Sequence, residues 1–161
     1  MPISELRVNA PAQIRDIGID RIKVLVVDDE YTTRKVIHAL LLAMGCTKIF
    51  EARDGESGLA AVRAVRPDLV LLECDMPGID GAEFVRRLRA EPTLFASPAG
   101  IIMMAAHSKH SRVLEAVRLG IHEFLLKPVS SGALRARMLA ALSKSSALAK
   151  SDRSEPRKLA S

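Results

Sequence analysis

Short apolar runs alternate with amphipathic stretches along most of the chain. The apolar runs predict five strands, at residues 22–27, 48–52, 69–72, 101–104 and 123–126. In the stretches between and after them, apolar residues recur three and four positions apart, which is typical of helices that bury one face. Strands that alternate with helices predict an α/β domain, a doubly wound parallel sheet with helices on both faces.

Polar residues mark where several helices begin. Asp54 and Asp80 each precede a helical stretch, and Ser130 or Ser131 precedes the last one. Short side chains that carry oxygen accept hydrogen bonds from the free N–H groups of a first helical turn, so we expect these residues to be helix caps. The segment 91–99 contains two prolines and predicts a loop.

The two ends of the chain differ from the domain predicted at residues 21–142. Residues 1–20 form an N-terminal extension that is too apolar for a free tail, and we expect it to pack on its own domain or on a second subunit. Residues 143–161 are rich in serine and carry five basic and two acidic residues, a large part of the chain's net charge of +5. This composition predicts a disordered basic tail.

Cysteine usage and hydropathy indicate a cytoplasmic protein. Cys46 and Cys74 belong to no CxxC pair or Cys/His cluster, so neither a zinc site nor a disulfide framework is predicted. Lone thiols are typical of a reducing compartment. The first twenty residues lack the pattern of a signal peptide, and no apolar run has the length of a membrane span.

Charged and small residues follow the predicted strands at the edge where such sheets bind ligands. Asp28 and Asp29 follow strand 1, Glu73 follows strand 3, Ala105 follows strand 4 and Lys127 follows strand 5. Two carboxylates about 4 Å apart repel by about 4 kcal/mol at an effective dielectric constant near 20. A divalent cation, the lysine or a bound proton must offset this repulsion, and oxygen ligands in an open site suit Mg²⁺. Capping of the first helix is the plainer explanation of the Asp pair alone.

Three motifs resemble the receiver domain of bacterial response regulators. They are VVDDE at 26–30, PDLVLLECDMPGIDG at 67–81 and LLKPVS at 125–130, and the resemblance covers roughly residues 22–142. It implies a flavodoxin-like sheet with strand order 2-1-3-4-5. The chain is similar to the stand-alone, chemotaxis-type receivers, which are signalling domains and not enzymes.

The resemblance implies a role for each residue of the pocket. Asp28 and Asp29 match the acidic pair that holds Mg²⁺, with Glu73 at the phosphoacceptor position and the backbone carbonyl of Asp75 as a further metal ligand. Lys127 matches the lysine that contacts the phosphoryl group. The peptide bond between this lysine and the following proline is expected to be cis, as in the family.

Two positions depart from the family pattern. Glu73 stands where the family has aspartate, and Ala105 stands where it has the serine or threonine that follows the phosphoryl group. Phe124 matches the aromatic residue of strand 5 that turns inward in response. A longer acceptor and a missing hydroxyl predict that phosphoryl acceptance and its transmission to Phe124 are weakened or lost.

These features favour a pseudo-receiver that acts by binding proteins in a histidine kinase pathway. The resemblance suggests a sensor histidine kinase as partner, bacteriophytochromes included, and a homodimer. The main alternative is a competent acceptor or phosphate sink that uses Glu73 or Asp75. A phosphate-handling hydrolase is disfavoured because the chain has no phosphate-binding glycine loop and no activated nucleophile. Specific nucleic-acid binding through the basic tail lacks a supporting motif.

Overall fold

The computed structural model describes residues 18–95, 99–106 and 110–153, and the fold that it shows is a parallel sheet covered by helices on both faces. The order across the sheet is β2-β1-β3-β4-β5, and all four strand pairs are parallel. The predicted α/β class and strand order are confirmed. The strand bounds are β1 Lys23–Val27, β2 Lys48–Ala52, β3 Leu69–Glu73, β4 Gly100–Ala105 and β5 Glu123–Leu126.

Six α-helices connect or follow the strands in the described part of the chain. Their bounds are α1 Tyr31–Ala43, α2 Gly55–Val65, α3 Gly81–Ala90, α4 Pro92–Phe95, α5 His110–Arg118 and α6 Ser131–Arg153. Among the described residues, none of these helices combines the length and apolar character that crossing a bilayer requires.

The core lies in two apolar layers, one on each side of the sheet. One layer packs α1 and α6 against the sheet, and the other packs α2, α3 and α5 against the opposite face. Residues 69–72 of β3 are fully buried because they contribute to both layers in alternation. This burial explains why the strand is an uninterrupted apolar run, as expected for a parallel sheet with two covered faces.

The predicted helix caps are confirmed by hydrogen bonds. Asp54 accepts from the backbone N–H of Ser57 at 2.7 Å, and Asp80 accepts from that of Glu83 at 2.9 Å. For the last helix, the cap is Ser130, whose hydroxyl accepts from the N–H of Ala133 at 3.2 Å. Short polar side chains at these points therefore fix where each helix begins.

Two helical segments go beyond the sequence prediction. The short α4 occupies part of the 91–99 segment, which was predicted as a loop, and its first residue is Pro92. Proline suits a first helical position because the N–H that it lacks would have no partner there. The prolines therefore indicated a break between elements correctly but did not exclude one helical turn.

The last helix continues past the limit predicted at residue 142, since α6 ends at Arg153. Residues 143–153 contain no Gly or Pro, and alanine, leucine and lysine favour helix. The buried Ser145 and an ion pair between Lys144 and Glu123 hold the first turn of this continuation on the domain. The predicted tail at 143–161 thus begins inside α6, and its residues 154–161 lie outside the described residues.

The last residues of the N-terminal extension contact the domain. Ile19 is buried in the apolar layer under α1, and the Thr47 hydroxyl donates to the carbonyl of Asp20 at 2.8 Å. The expectation that the extension packs on a domain is met for these residues. Residues 1–17 lie outside the described residues, so for them it stays a prediction.

His122 joins the start of β4 to the residues before β5. Its ring Nδ1 accepts from the backbone N–H of Ile101 at 2.9 Å, so this nitrogen must carry no proton. Burial lowers the pKa of His122, and the positive charges of Arg89 and Lys144 lower it further while Glu123 opposes them. The fold therefore holds this imidazole in its neutral form.

We expect His122 to contribute to loss of stability in acid. Its folded pKa lies below the ordinary value of about 6.5, so its contribution is complete above pH 6.5 or so and is lost as pH falls through the folded pKa. His122→Asn keeps an acceptor near the Nδ1 position without titrating. The free energy of unfolding, measured in urea from pH 7.5 to 5, should fall less for this variant than for the unaltered chain.

The control is the same comparison of H122N with the unaltered chain from pH 7.5 to 9. The imidazole is neutral there in both the folded and the unfolded state, so the difference in unfolding free energy between the two chains should stay constant. An H122N variant whose unfolding free energy falls as steeply in acid as that of the unaltered chain would contradict the role given to this imidazole.

Candidate functional site

Strand ends bring the predicted site residues to one edge of the sheet. β1 ends just before Asp28, β3 ends at Glu73, β4 ends at Ala105 and β5 ends just before Lys127. Backbone hydrogen bonds fix this register, since the N–H of Asp28 donates to Ala52 and that of Lys127 donates to Ala105. The edge is the one at which open α/β sheets bind ligands.

Gly81 allows α3 to begin directly against the end of β3. A Cβ atom at this position would lie 2.8 Å from the carbonyl oxygen of Glu73, closer than side chains approach. The N–H of Gly81 also donates to the carbonyl of Cys74 at 2.9 Å. Glycine is therefore required where the loop after Glu73 turns back into a helix.

A lysine lies between two buried carboxylates in the pocket. The Nζ atom of Lys127 is 2.8 Å from Oδ2 of Asp28 and also forms an ion pair with Oε2 of Glu73. Asp28 is fully buried and Glu73 is 5 % exposed. The other oxygens accept backbone hydrogen bonds, Asp28 from the N–H of Glu30 at 2.9 Å and Glu73 from the N–H of Asp75 at 3.3 Å.

This cluster carries one more negative charge than positive when its three groups are ionised. Burial raises the pKa of Glu73, and the Asp28 carboxylate raises it further, while Lys127 offsets only part of both effects. Burial by itself would lower the pKa of Lys127, but its hydrogen bonds with Asp28 and Glu73 outweigh burial, so that pKa is raised. The lysine therefore stays charged as the resident cation of the pocket.

The other two predicted metal-binding residues lie at the surface. Asp29 and Asp75 are both exposed, whereas Asp28 and Glu73 are buried beside Lys127. In the described segments, no three acidic, histidine or cysteine side chains come together as a group that could hold a metal ion. Their oxygen atoms suit Mg²⁺ chemically, and the ligand predicted at residue 75 is the backbone carbonyl, so magnesium binding by Asp28, Asp29, Glu73 and Asp75 stays a prediction.

The two predicted switch positions also lie where the sequence placed them. Ala105 is buried at the end of β4 and has no hydroxyl to offer to the pocket. Phe124 lies in β5 and packs, partly buried, against the apolar layer under α2, α3 and α5. The peptide bond between Lys127 and Pro128 is cis, as the sequence predicted.

Arg34 is a site residue that the sequence did not indicate. Its Nη1 atom donates to the backbone carbonyl of Asp28 at 2.7 Å, and its Nε atom lies 3.4 Å from the Glu51 carboxylate on β2. The arginine thus ties the residue at the end of β1 to both α1 and β2. The feature of the sequence that could have indicated Arg34 is its place in the first turn of the helix that follows Asp28 and Asp29.

The fold and this pocket define a class of protein. A doubly wound sheet in the order 2-1-3-4-5, with an acid–lysine cluster at the carboxyl ends of its strands, is the arrangement of a two-component signalling domain.

Comparison with known proteins identifies the family. Residues 24–139 match the response regulator receiver domain family. The chain is 31 % identical to the chemotaxis protein CheY of Pseudomonas aeruginosa over 116 residues, which cover 72 % of this chain and 92 % of that protein. It is 35 % identical to the KDP operon transcriptional regulatory protein KdpE of Escherichia coli over 124 residues, 77 % of this chain but 52 % of that protein.

Solved structures show the same fold. The chemotaxis protein CheY4 of Vibrio cholerae is 26 % identical, with a TM-score of 0.67, over 73 % of this chain and 95 % of that one. A response regulator receiver domain protein from Clostridium thermocellum is 25 % identical, with a TM-score of 0.70, over 79 % of this chain and 98 % of that one. The chain belongs to the response regulator receiver domain family of two-component signalling.

Removing the charge of Lys127 should destabilise the domain strongly. Lys127→Met leaves two buried carboxylates without a cation, and breaking a buried ion pair in this way costs about 3–5 kcal/mol. The double variant Lys127→Met, Glu73→Gln should recover part of this loss because one of the two charges is gone. Urea unfolding of the three chains at pH 7.5 measures both effects.

Lys144→Met is the matched control because Lys144 also forms an ion pair, with Glu123, but its side chain is 56 % exposed. Exposed ion pairs contribute about 0–1 kcal/mol, so this variant should lose little stability. Equal losses for K127M and K144M would show that Lys127 does not hold the pocket together.

Proposed function

We propose that this chain is an atypical receiver, a pseudo-receiver that signals by binding other proteins and accepts phosphoryl groups weakly or not at all. The observation that carries the proposal is Ala105, a buried methyl group at the end of β4 beside Lys127. At this point the family places the hydroxyl that hydrogen-bonds a phosphoryl oxygen. Alanine cannot donate that hydrogen bond, so a phosphoryl group in the pocket would lack the first link to Phe124.

The geometry of Glu73 supports the same conclusion. Glutamate is one methylene longer than the aspartate of the family, which adds a bond of about 1.5 Å. Where orientation supplies the rate, a misplacement of about 1 Å can cost roughly 100-fold. The Glu73 carboxylate is also buried and paired with Lys127, the cation that would otherwise meet an incoming phosphoryl group.

Glu73 can act as a partial mimic of the phosphorylated state. Its longer side chain brings a carboxylate to Lys127, close to where a phosphoryl group would be bound, but with one negative charge rather than two. Lys127 already neutralises part of the acidic cluster, so we expect any Mg²⁺ binding to be weak. The domain would then hold one conformation without a phosphorylation cycle.

Exposed apolar residues on α5 and on the edge strand β5 support a role in protein binding. Leu114 and Val117 on α5 and Leu126 on β5 are large hydrophobic residues that remain exposed. We propose that this face binds a sensor histidine kinase, of which bacteriophytochromes are one type, or a second copy of the chain in a cytoplasmic homodimer. The similarity to chemotaxis protein CheY supports a single-domain signalling role of this kind.

Asp75 supports the alternative of a competent acceptor. Residue 75 is exposed, two positions beyond Glu73, and its backbone N–H donates to the Glu73 carboxylate, so a phosphorylated kinase could reach it without opening the core. In this case the chain would serve as a phosphate relay or sink, with Asp75 or Glu73 as acceptor.

Phosphotransfer to matched variants separates the two functions. A histidine kinase labelled on its phosphohistidine is mixed with Mg²⁺ and the unaltered chain, Glu73→Asp, Ala105→Thr or the double variant. We expect the double variant to acquire label at least roughly 100-fold faster than the unaltered chain, because both the acceptor geometry and the hydroxyl are then present.

Glu56→Asp and Ala64→Thr are the controls, since both make the same chemical changes at exposed positions on α2, outside the acid–lysine cluster. Neither should alter the rate of labelling. Rapid, metal-dependent labelling of the unaltered chain on Glu73 or Asp75 would overturn the pseudo-receiver and establish the alternative.

A further inference from the structure

Residues 114–118, the second half of α5, bury little apolar surface. Among these residues Ala116 is the one buried side chain, whereas Leu114 and Val117 are 45 % and 61 % exposed. By comparison, α3 and α6 each bury several large apolar residues against the sheet. An alanine methyl group removes little apolar area from water, so this half of the helix gains little stability from hydrophobic packing.

Two arginines of α3 hold this half of α5 by polar contacts instead. Arg86 forms an ion pair with the Glu115 carboxylate. Arg89 donates from Nη2 to the carbonyl of Gly120, two residues after the helix ends, at 2.7 Å. The two arginines lie three positions apart on one turn of α3, so that turn holds α5 at two points.

The contact of Arg89 lies where the backbone of α5 ends. The N–H groups of Leu119, Gly120 and Ile121 donate to carbonyls of the last helical turn, and Gly120 has a φ of 83°, in the left-handed region. A Cβ atom on Gly120 would lie 3.4 Å from Nη2 of Arg89, so a larger residue would crowd the guanidinium. The positive charge thus meets the carboxyl end of the helix, where a cation is favourable.

The helix that these arginines hold connects the two strands with the predicted switch positions. β4 ends at Ala105, and β5 contains Phe124, which packs in the same apolar layer as Ala116. A change in how closely α5 lies on the sheet therefore changes what covers Phe124. Such a change requires no hydroxyl at residue 105.

We propose that residues 114–120 open from the sheet as a unit and that Arg86 and Arg89 set how often they do. The two polar contacts replace the apolar packing that this half of the helix lacks. In the open form, Ala116 and the partly buried Leu119 become accessible and enlarge the apolar face of α5. The opening is a property of the free chain, and only its use in partner binding rests on the proposed function.

Amide hydrogen exchange of the full chain at pH 7.5 tests whether α5 opens by itself. After correction for intrinsic rates, the N–H groups of Leu119 and Ile121 should exchange at least roughly tenfold faster than that of Cys74, which donates to Met104 in the sheet. Their exchange should also depend less on urea, because a local opening exposes less surface than unfolding does. Equal rates and equal urea dependence at the three sites would show that α5 opens only with the whole domain and would overturn the proposal.

Variants of the two arginines test what keeps the helix closed. Arg89→Met should raise the exchange rates of Leu119 and Ile121 roughly tenfold or more, because the closed form loses a hydrogen bond from a charged donor. Arg86→Met should raise them about two- to fivefold, as expected for an exposed ion pair.

Arg87→Met is the matched control on the same turn of α3. Arg87 pairs with Glu83 on its own helix and with Glu56 on α2, and both contacts remain when α5 opens. The variant should therefore change the two exchange rates by less than about twofold. No acceleration by R89M or by R86M, or an acceleration by R87M equal to that of R89M, would overturn the proposal.

Discussion

The pocket depends on one positive charge held between two buried negative ones. Lys127, just after β5, reaches Asp28, just after β1, and Glu73 at the end of β3, so a single ammonium joins three strands of the sheet at their carboxyl ends. Without Lys127, two carboxylates would be buried together with no countercharge. This would destabilise the fold far more than the loss of an exposed ion pair does. The register of the parallel strands brings these residues within reach, and the pairing in turn holds the strand ends together.

Arg34 extends this constraint away from the pocket. By donating to the carbonyl of Asp28 and pairing with Glu51, it fixes the end of β1 to the first turn of α1 and to β2. The Cζ atom of the same guanidinium lies 5.7 Å from the centroid of the Tyr31 ring. Arg34 therefore contacts both the exposed Tyr31 on α1 and the backbone of the buried Asp28.

Much of this could be predicted from the sequence because strand ends, helix caps and motif spacing are local signals. The caps at Asp54 and Asp80 and the strand-end positions of Glu73, Ala105 and Lys127 followed from pattern alone. The continuation of α6 to Arg153 had only a partial local signal, the absence of Gly and Pro from residues 143–153, whereas its first turn is held on the domain by the long-range ion pair of Lys144 with Glu123. Likewise, the sequence predicted Asp28, Asp29, Glu73 and Asp75 as oxygen ligands of one metal ion, but only side-chain packing could show that Asp28 is buried and Asp29 is exposed.

Glu73 and Ala105 both bear on how the pocket would respond to a phosphoryl group. The longer carboxylate of Glu73 pairs with the lysine, so on the pseudo-receiver proposal the resting pocket would already hold part of the negative charge that a phosphoryl group would add. The missing hydroxyl removes the group that would sense any further charge at that place. A receiver with only the first change could still respond to phosphorylation at a neighbouring acid, and one with only the second could still store a phosphoryl group. On the pseudo-receiver proposal, the two changes together would separate the charge of the pocket from the position of Phe124, and signalling would depend on which surfaces the domain presents to its partners.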